Sequence, residues 1–286
     1  METRQFGNTG LEVSVLGFGG AEIGFENAPQ SDVERLLNAA LDAGLNVIDT
    51  AECYVDSEEK IGRAVAGRRD EFHLFTKCGH TSGLPGEDWE PAMLAASINR
   101  SLQRLQTDRV DLIELHTCSL EALKAGAAIE VLQRAKEAGK TRFIGYSGDN
   151  EALAYAVECG AFDAIQTSLN VADQANLGTV QVAAEKGLGV IAKRPIANAA
   201  WLKEPEVGAY SRAYWERLQE LAYPGLDVST ALRWTLAQPV HVAIVGTKNP
   251  DRWAANAALL ADGPLVGDGI RARWLEVAGA DWVGLQ

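Results

Sequence analysis

Eight short apolar or β-branched runs recur along the chain: LGFGG (16–20), LNVIDT (45–50), FHLFTK (72–77), VDLIELH (110–116), RFIGYS (142–147), FDAIQTS (162–168), LGVIAK (188–193) and VAIVG (242–246). Between them apolar residues return every three or four positions, as in Val33, Leu36, Leu37, Ala40 and Leu41, and in Leu94, Ile98, Leu102 and Leu105. That spacing predicts amphipathic helices. Helix starts are marked at Ser31 and at Glu90-Pro91, where proline suits the first turn, and Gly44, Gly139 and Gly187 close others. Strands that alternate with helices pair in parallel, and near-continuous apolar strands are buried on both faces. Eight such units predict an α/β fold, a closed (β/α)8 TIM barrel rather than an open sheet. Ahead of them, RQFGNTGLEVS (4–14) places a turn-forming Asn-Thr-Gly between two short segments, which predicts an N-terminal β-hairpin capping the barrel floor. Two further helices are expected over 250–262 and 265–277. With no linker, repeat or low-complexity tract, 1–286 reads as a single domain.

A length of 286 residues suits one barrel, and 47% hydrophobic with 23% charged residues is the balance of a folded globular protein. The formal charge of −13, with no dense Lys/Arg cluster, disfavours nucleic acid as a partner. No stretch reaches the roughly 20 apolar residues of a membrane span, and METRQFGNTG lacks the apolar core of a signal peptide, so a cytoplasmic location is expected. Oligomeric state is not legible. The cysteines Cys53, Cys78, Cys118 and Cys159 are too few and too scattered for a disulfide scaffold.

In a closed barrel of parallel strands the loops after the strands converge on one face, so the residues ending each run matter most. They are Asp49, Lys77, His116, Ser147, Gln166, Lys193 and Gly246, with Tyr54 just past Asp49. An acid, an ammonium and an imidazole on three successive strands make chemical sense together. A phenol ionises near pH 10, and a nearby ammonium lowers that value, so Lys77 would make Tyr54 a better acid. Asp49 would balance the buried charge of Lys77, and His116 would orient a substrate oxygen. His116 alone would more often be a core histidine, and Asp49-Thr50 alone a helix cap; the set reverses those readings. His73 and His241, at strand beginnings, read as structural. Trp201, Tyr210, Tyr214 and Trp215 read as packing residues, one of which could wall the pocket. Cys53, Cys78 and Cys118 lie within two residues of Tyr54, Lys77 or His116. Their spacing fits no metal site, but proximity to Lys77 favours a thiolate, and inhibition by oxidants or alkylating agents is expected.

NVIDTAECY (46–54), FTK (75–77), IELH (113–116) and IVGTKNPDRWAAN (244–256) resemble, in that order, the signatures of the aldo-keto reductase family. The resemblance covers essentially the whole chain. It implies an oxidoreductase that passes hydride between a nicotinamide dinucleotide and a small-molecule carbonyl, with the cofactor extended and without a Rossmann glycine motif; the glycine clusters here fit no such motif. Carried over by position, Asp49, Tyr54, Lys77 and His116 are the catalytic set. Gly20, Ser147, Gln166, Lys193, Arg194, Gly246, Thr247, Lys248, Asn249, Arg252 and Asn256 are the cofactor-binding set, and no metal is implied. The family's usual Ser-Asn is Ser147-Gly148 here, so one carboxamide contact is either missing or supplied by a neighbour such as Asn170. Where many members stack a tyrosine on the nicotinamide this chain has Lys193, with Arg194 placed to lie over the ring instead. Asn256 matches the family's adenine-contacting asparagine, and Ala255 replaces a glutamate common there. Lys248 and Arg252 would read the 2′-phosphate of NADP, which makes NADPH the expected cofactor over NADH. The family also includes cofactor-binding barrels that act as redox-sensing or binding subunits, and that function is the alternative.

Overall fold

The computed structural model describes residues 1–202, 208–263, 265, 269–278 and 282–285, the side chains of 209 and 210 excepted. Strands β1 (Thr3–Gln5) and β2 (Glu12–Ser14) form an antiparallel hairpin, turned through Gly7–Thr9 and a left-handed Gly10 at φ +74°. Then β3 (Leu16–Gly19), β4 (Val47–Asp49), β5 (His73–Cys78), β6 (Val110–His116), β7 (Thr141–Ser147), β8 (Ala164–Ser168), β9 (Gly189–Lys193) and β10 (Val242–Gly246) close a barrel in chain order, β10 returning to pair with β3. Every pairing in it is parallel.

The eight apolar runs and the strands coincide, with edges moved by a residue or two. Phe162 and Asp163 lie ahead of β8, and Leu45 and Asn46 ahead of β4, because these residues form the helix-to-strand turns; Leu45 N bonds across its turn to Ala40 O, and Asp163 N bonds to Ile144 O of the neighbouring β7. The helix expected from Ser31 begins at Gln30, after Pro29. Pro91 does open its helix, and Gly44, Gly139 and Gly187 are all left-handed. The expected 250–262 helix is α-helical over Pro250–Ala258 and tightens to a 3-10 turn over Leu259–Asp262. The last helix is Gly269–Ala278; residues 266–268 of the expected span lie outside the described residues.

Two apolar layers hold the barrel. Outside it, helix residues such as Leu36, Leu37, Ile98, Leu132, Leu153 and Leu232 are buried against the strands, each contributing about 1.5–3 kcal/mol on leaving water. Inside, Val47, Phe75, Leu112, Ala164, Ile191, Val242 and Ile244 fill the floor with Phe6 of the hairpin. The Phe6 ring stacks on Phe75 at 5.5 Å, and it fits only because Gly189 lacks a Cβ, which would run into the ring.

Side chains on a strand alternate between faces, so two residues above each floor position comes the next inward one. Val47 is followed inward by Asp49, Phe75 by Lys77, Leu112 by Glu114 and His116, Ala164 by Gln166, and Ile191 by Lys193. The barrel interior thus changes from apolar floor to charged and polar mouth within one repeat of these five strands.

Candidate active site

Asp49 and Lys77 are each 1% exposed, and their charges meet at 2.6 Å between Asp49 Oδ1 and Lys77 Nζ. Lys77 Nζ also donates to Thr50 O at 2.8 Å, while Gln166 Nε2 donates to Asp49 Oδ2 at 3.2 Å. The ammonium lies 5.5 Å from the centroid of the Tyr54 ring. Tyr54 sits in the turn after β4, which Thr50, Ser57 and Gly20 tie down: the Thr50 and Ser57 hydroxyls are 2.9 Å apart and Ser57 Oγ donates to Gly20 O at 2.7 Å. His116 ends β6, and its ring stands nearly perpendicular to that of Tyr54, with centroids 5.8 Å apart at 79°. Trp89 Nε1 donates to the His116 carbonyl at 3.0 Å, and the His80 ring lies 5.1 Å away.

Burial alone would lower the affinity of Lys77 for its proton, but the charges of Asp49, Tyr54 and Glu114 outweigh it and hold the ammonium above its ordinary range. Burial pushes the Asp49 carboxyl up, and Lys77 and Gln166 pull it back. His116 is held well below its ordinary range, first by burial and then by Lys77 and the other cations of the mouth, so its imidazole is neutral. Its Nδ1 lies 3.4 Å from Cys53 Sγ. Burial and the neighbouring Glu52 push that thiol up to about 12. A thiol that keeps its proton donates it, which makes Nδ1 the acceptor and leaves Nε2–H as the free donor of the ring.

This environment reverses the thiolate expectation. Lys77 does pull Cys53 down, but less than burial and Glu52 push it up. Cys78 and Cys118 are buried and also raised, Cys118 to about 12. All three stay thiols, and thiols react slowly with oxidants and alkylating agents.

The remaining site residues fall into three groups. Ser147 and Gln166 are wholly buried beside Asp49, with Ser147 Oγ donating to Gln166 Oε1 at 2.9 Å. Gly20 N donates to Asp49 O at 2.7 Å, which brings the start of the β3 loop against the same site. Lys193 reaches the mouth from β9 with its Nζ 3.1 Å from Asp149 Oδ2. Arg194 directs Nη1 to Ser168 Oγ at 3.2 Å and Leu285 O at 2.8 Å, which anchors the C-terminal segment. Asn170 closes its own loop, Oδ1 accepting from Ala172 and Asp173 N, and ties it to the segment after β9, Nδ2 donating to Arg194 O.

Across the mouth, Gly246 ends β10 beside Gly19, and the Glu22 carboxylate lies against its Cα face. Thr247 Oγ1 accepts from Asn249 N, and Asn249 caps the Pro250–Ala258 helix by accepting from Asp251 N at 2.9 Å. Lys248 Nζ meets Glu26 at 2.8 Å, both half exposed. Arg252 is exposed on the first turn of that helix, and Asn256, one turn on, is buried.

Of the aromatic residues read as packing, Tyr214 is buried in the core; the side chain of Tyr210 lies outside the described residues. His73 and His241 are structural, bonding Glu12 O and Val190 N. Two polar neighbours escape a reading of strand ends. Cys53 touches His116, and Glu114 lies wholly buried on β6 two residues before it. The period of two that turns His116 inward was the available signal for Glu114.

The model of the aldo/keto reductase family matches residues 15–271. L-galactose dehydrogenase of Arabidopsis thaliana is 33% identical over 212 residues, 69% of this chain and 66% of that protein. The 6-dehydroglucose reductase of Novosphingobium aromaticivorans is 28% identical over 90% of each chain. Among solved structures, an aldo-keto reductase of Bacillus halodurans in its holo form superposes with a TM-score of 0.82 at 25% identity, covering 99% of this chain and 98% of that one.

Proposed function

The chain belongs to the aldo/keto reductase family, and from that premise we propose that it reduces an aldehyde or ketone with NADPH, with Tyr54 as the general acid. The observation that carries this reading is the placement of Lys77. Its ammonium is fixed between a buried carboxylate and the Tyr54 ring, where it favours the phenolate and so makes the phenol a stronger acid than in water. Nε2–H of His116, the donor that Cys53 leaves free, orients the carbonyl oxygen toward the Tyr54 hydroxyl. Tyr54 then gives its proton to that oxygen as negative charge develops there. When bound, NADPH supplies the hydride that reduces the carbonyl carbon.

The residues present fit that cofactor. Ser147 and Gln166 form a buried hydroxyl-amide pair of the kind a carboxamide needs. Lys248 and Arg252 stand at the start of a capped helix, where cations oppose the helix dipole; binding an anion is a reason to keep them there. The Lys248–Glu26 pair does not bar a phosphate, because an exposed ion pair is worth only about 0–1 kcal/mol. None of the described helices is long and apolar enough to cross a membrane, which accords with a cytoplasmic enzyme acting on a small-molecule carbonyl.

Steady oxidation of NADPH with a panel of aldehydes and ketones tests the function. Dinucleotide binding without turnover on any carbonyl would favour the redox-sensing or binding subunit instead. Replacing Arg252 or Lys248 by alanine is expected to weaken NADPH binding by about 1–3 kcal/mol, the scale of a charge-assisted hydrogen bond, with NADH binding nearly unchanged. Equal losses for both cofactors in a fluorescence titration would show that these residues do not read the 2′-phosphate.

Cys53→Ala is expected to lower kcat/KM by about 2–10-fold, the worth of one hydrogen bond of about 0.5–1.5 kcal/mol, because Nδ1 then competes for the ring proton. Cys53→Ser, which keeps a donor, should recover most of the loss, and cofactor binding should not move in either. An alanine variant as fast as the wild type would remove Cys53 from the mechanism.

A further inference from the structure

Glu114 is the most unusual buried group in the barrel. It has no exposed surface, and neither carboxyl oxygen has a hydrogen-bond partner. A polar group buried in that way is costly, far more so when charged. Its strand position is register-paired with Lys77 on β5 and with Gly145 on β7. Gly145 makes the room: a Cβ there would lie 3.1 Å from Glu114 Cγ. The charged groups facing Glu114 are Asp49 from β4, Lys77 from β5 and Lys193 from β9; β7 contributes only the glycine, and His116 follows two residues on along β6.

Lys77 spends two of its three protons on Asp49 Oδ1 and Thr50 O. Its charge is therefore shared by three anionic or potentially anionic neighbours: Asp49, Glu114 and the Tyr54 phenol. Whatever charge Glu114 carries is subtracted from what Lys77 can offer the phenolate. We propose that Glu114 is a positioning residue which, through Lys77, sets how readily Tyr54 releases its proton. Near neutral pH Glu114 is a neutral acid and leaves the field of Lys77 to Tyr54. Burial pushes its ionisation up to about 8. Above that, its carboxylate opposes ionisation of Tyr54, keeping the phenol protonated, and able to serve reduction, to higher pH.

This inference rests on Tyr54 being the acid, and the experiment separates the two. The pH profile of kcat/KM for carbonyl reduction is measured for the wild type, Glu114→Gln and Glu114→Leu, with Tyr54→Phe alongside. Both Glu114 variants are uncharged at every pH, so their falling alkaline limb is expected about one pH unit lower than that of the wild type. That makes kcat/KM about tenfold lower on the alkaline side, while the profiles run together on the acid side. Ultraviolet tyrosinate titration without cofactor, taken as the difference from Tyr54→Phe, should show the same downward shift of the Tyr54 ionisation. A lost hydrogen bond or loosened packing would lower the whole profile without moving that ionisation. Superimposable limbs and titrations would overturn the role of Glu114 while leaving Tyr54 intact. A Tyr54→Phe enzyme that still turned over would overturn both.

Discussion

Tyr54→Phe is expected to abolish carbonyl reduction, with kcat falling by about 10²–10⁴, the usual worth of a positioned general acid. The substitution removes one oxygen and little else. The ring remains to pack against Phe25, whose centroid is 5.5 Å away, and against the ring of His116. The turn that holds residue 54 is built from the Thr50, Ser57 and Gly20 contacts and from backbone bonds that phenylalanine leaves intact. NADPH affinity and thermal stability should therefore stay close to those of the wild type, which separates loss of the proton from loss of the fold. Turnover at the wild-type rate would sink the proposed mechanism. A parallel collapse of cofactor binding would show that the hydroxyl serves the binding site instead.

The parts of this site that could be read from the sequence are those governed by local period. Alternation along a strand puts Asp49, Lys77 and His116 inward at the mouth end of three successive strands, and the apolar residues two positions below Asp49 and Lys77, and four below His116, form the floor. Glu114 obeys the same alternation but lies inside its strand rather than at the end, so attention to strand ends passes over it. Residues whose roles depend on distant chain were less accessible. Arg194 adjoins Lys193, but it has a φ of +56°, and its guanidinium is held by Leu285, 91 residues away in sequence. Nothing local to KRPIAN signals that contact. The side chain of Asn170, expected to serve a carboxamide, is engaged at both ends, Oδ1 by its own loop and Nδ2 by Arg194 O, 24 residues on. The thiol chemistry failed for a related reason: sequence proximity to Lys77 is visible in the chain, whereas burial and the charge of Glu52, which outweigh it, are properties of the fold.

Lys77→Met should be the most damaging single change to the fold as well as to the chemistry. Removing one partner of a buried ion pair costs about 3–5 kcal/mol, because the other charge is left uncompensated. Here Asp49 would keep the Gln166 amide and the weaker pull of the Lys193 charge. A carboxyl in that position takes a proton more readily than in the unfolded chain, so its folded pKa rises above its unfolded one. The stability it contributes is then complete below the unfolded value and is lost as pH rises through the folded one, at up to about 1.4 kcal/mol per pH unit for one proton. Lys77→Met should therefore be least destabilised at acid pH and progressively worse as pH rises, and Glu114, deprived of the same ammonium, adds to that trend with the same sign. Denaturant unfolding at several pH values measures it. The double variant Lys77→Met with Asp49→Leu removes both charges, and an apolar replacement of a buried pair is commonly neutral or stabilising. It should regain much of the lost stability at pH about 8 and flatten the part of the slope that Asp49 contributes. Carbonyl reduction, by contrast, should stay down by about 10²-fold or more in both, since neither restores the ammonium beside Tyr54. A double variant no more stable than the single at that pH would show that the cost lies in packing around residue 77 and not in the stranded carboxylate. Near-normal turnover in either variant would break the link between Lys77 and the acidity of Tyr54.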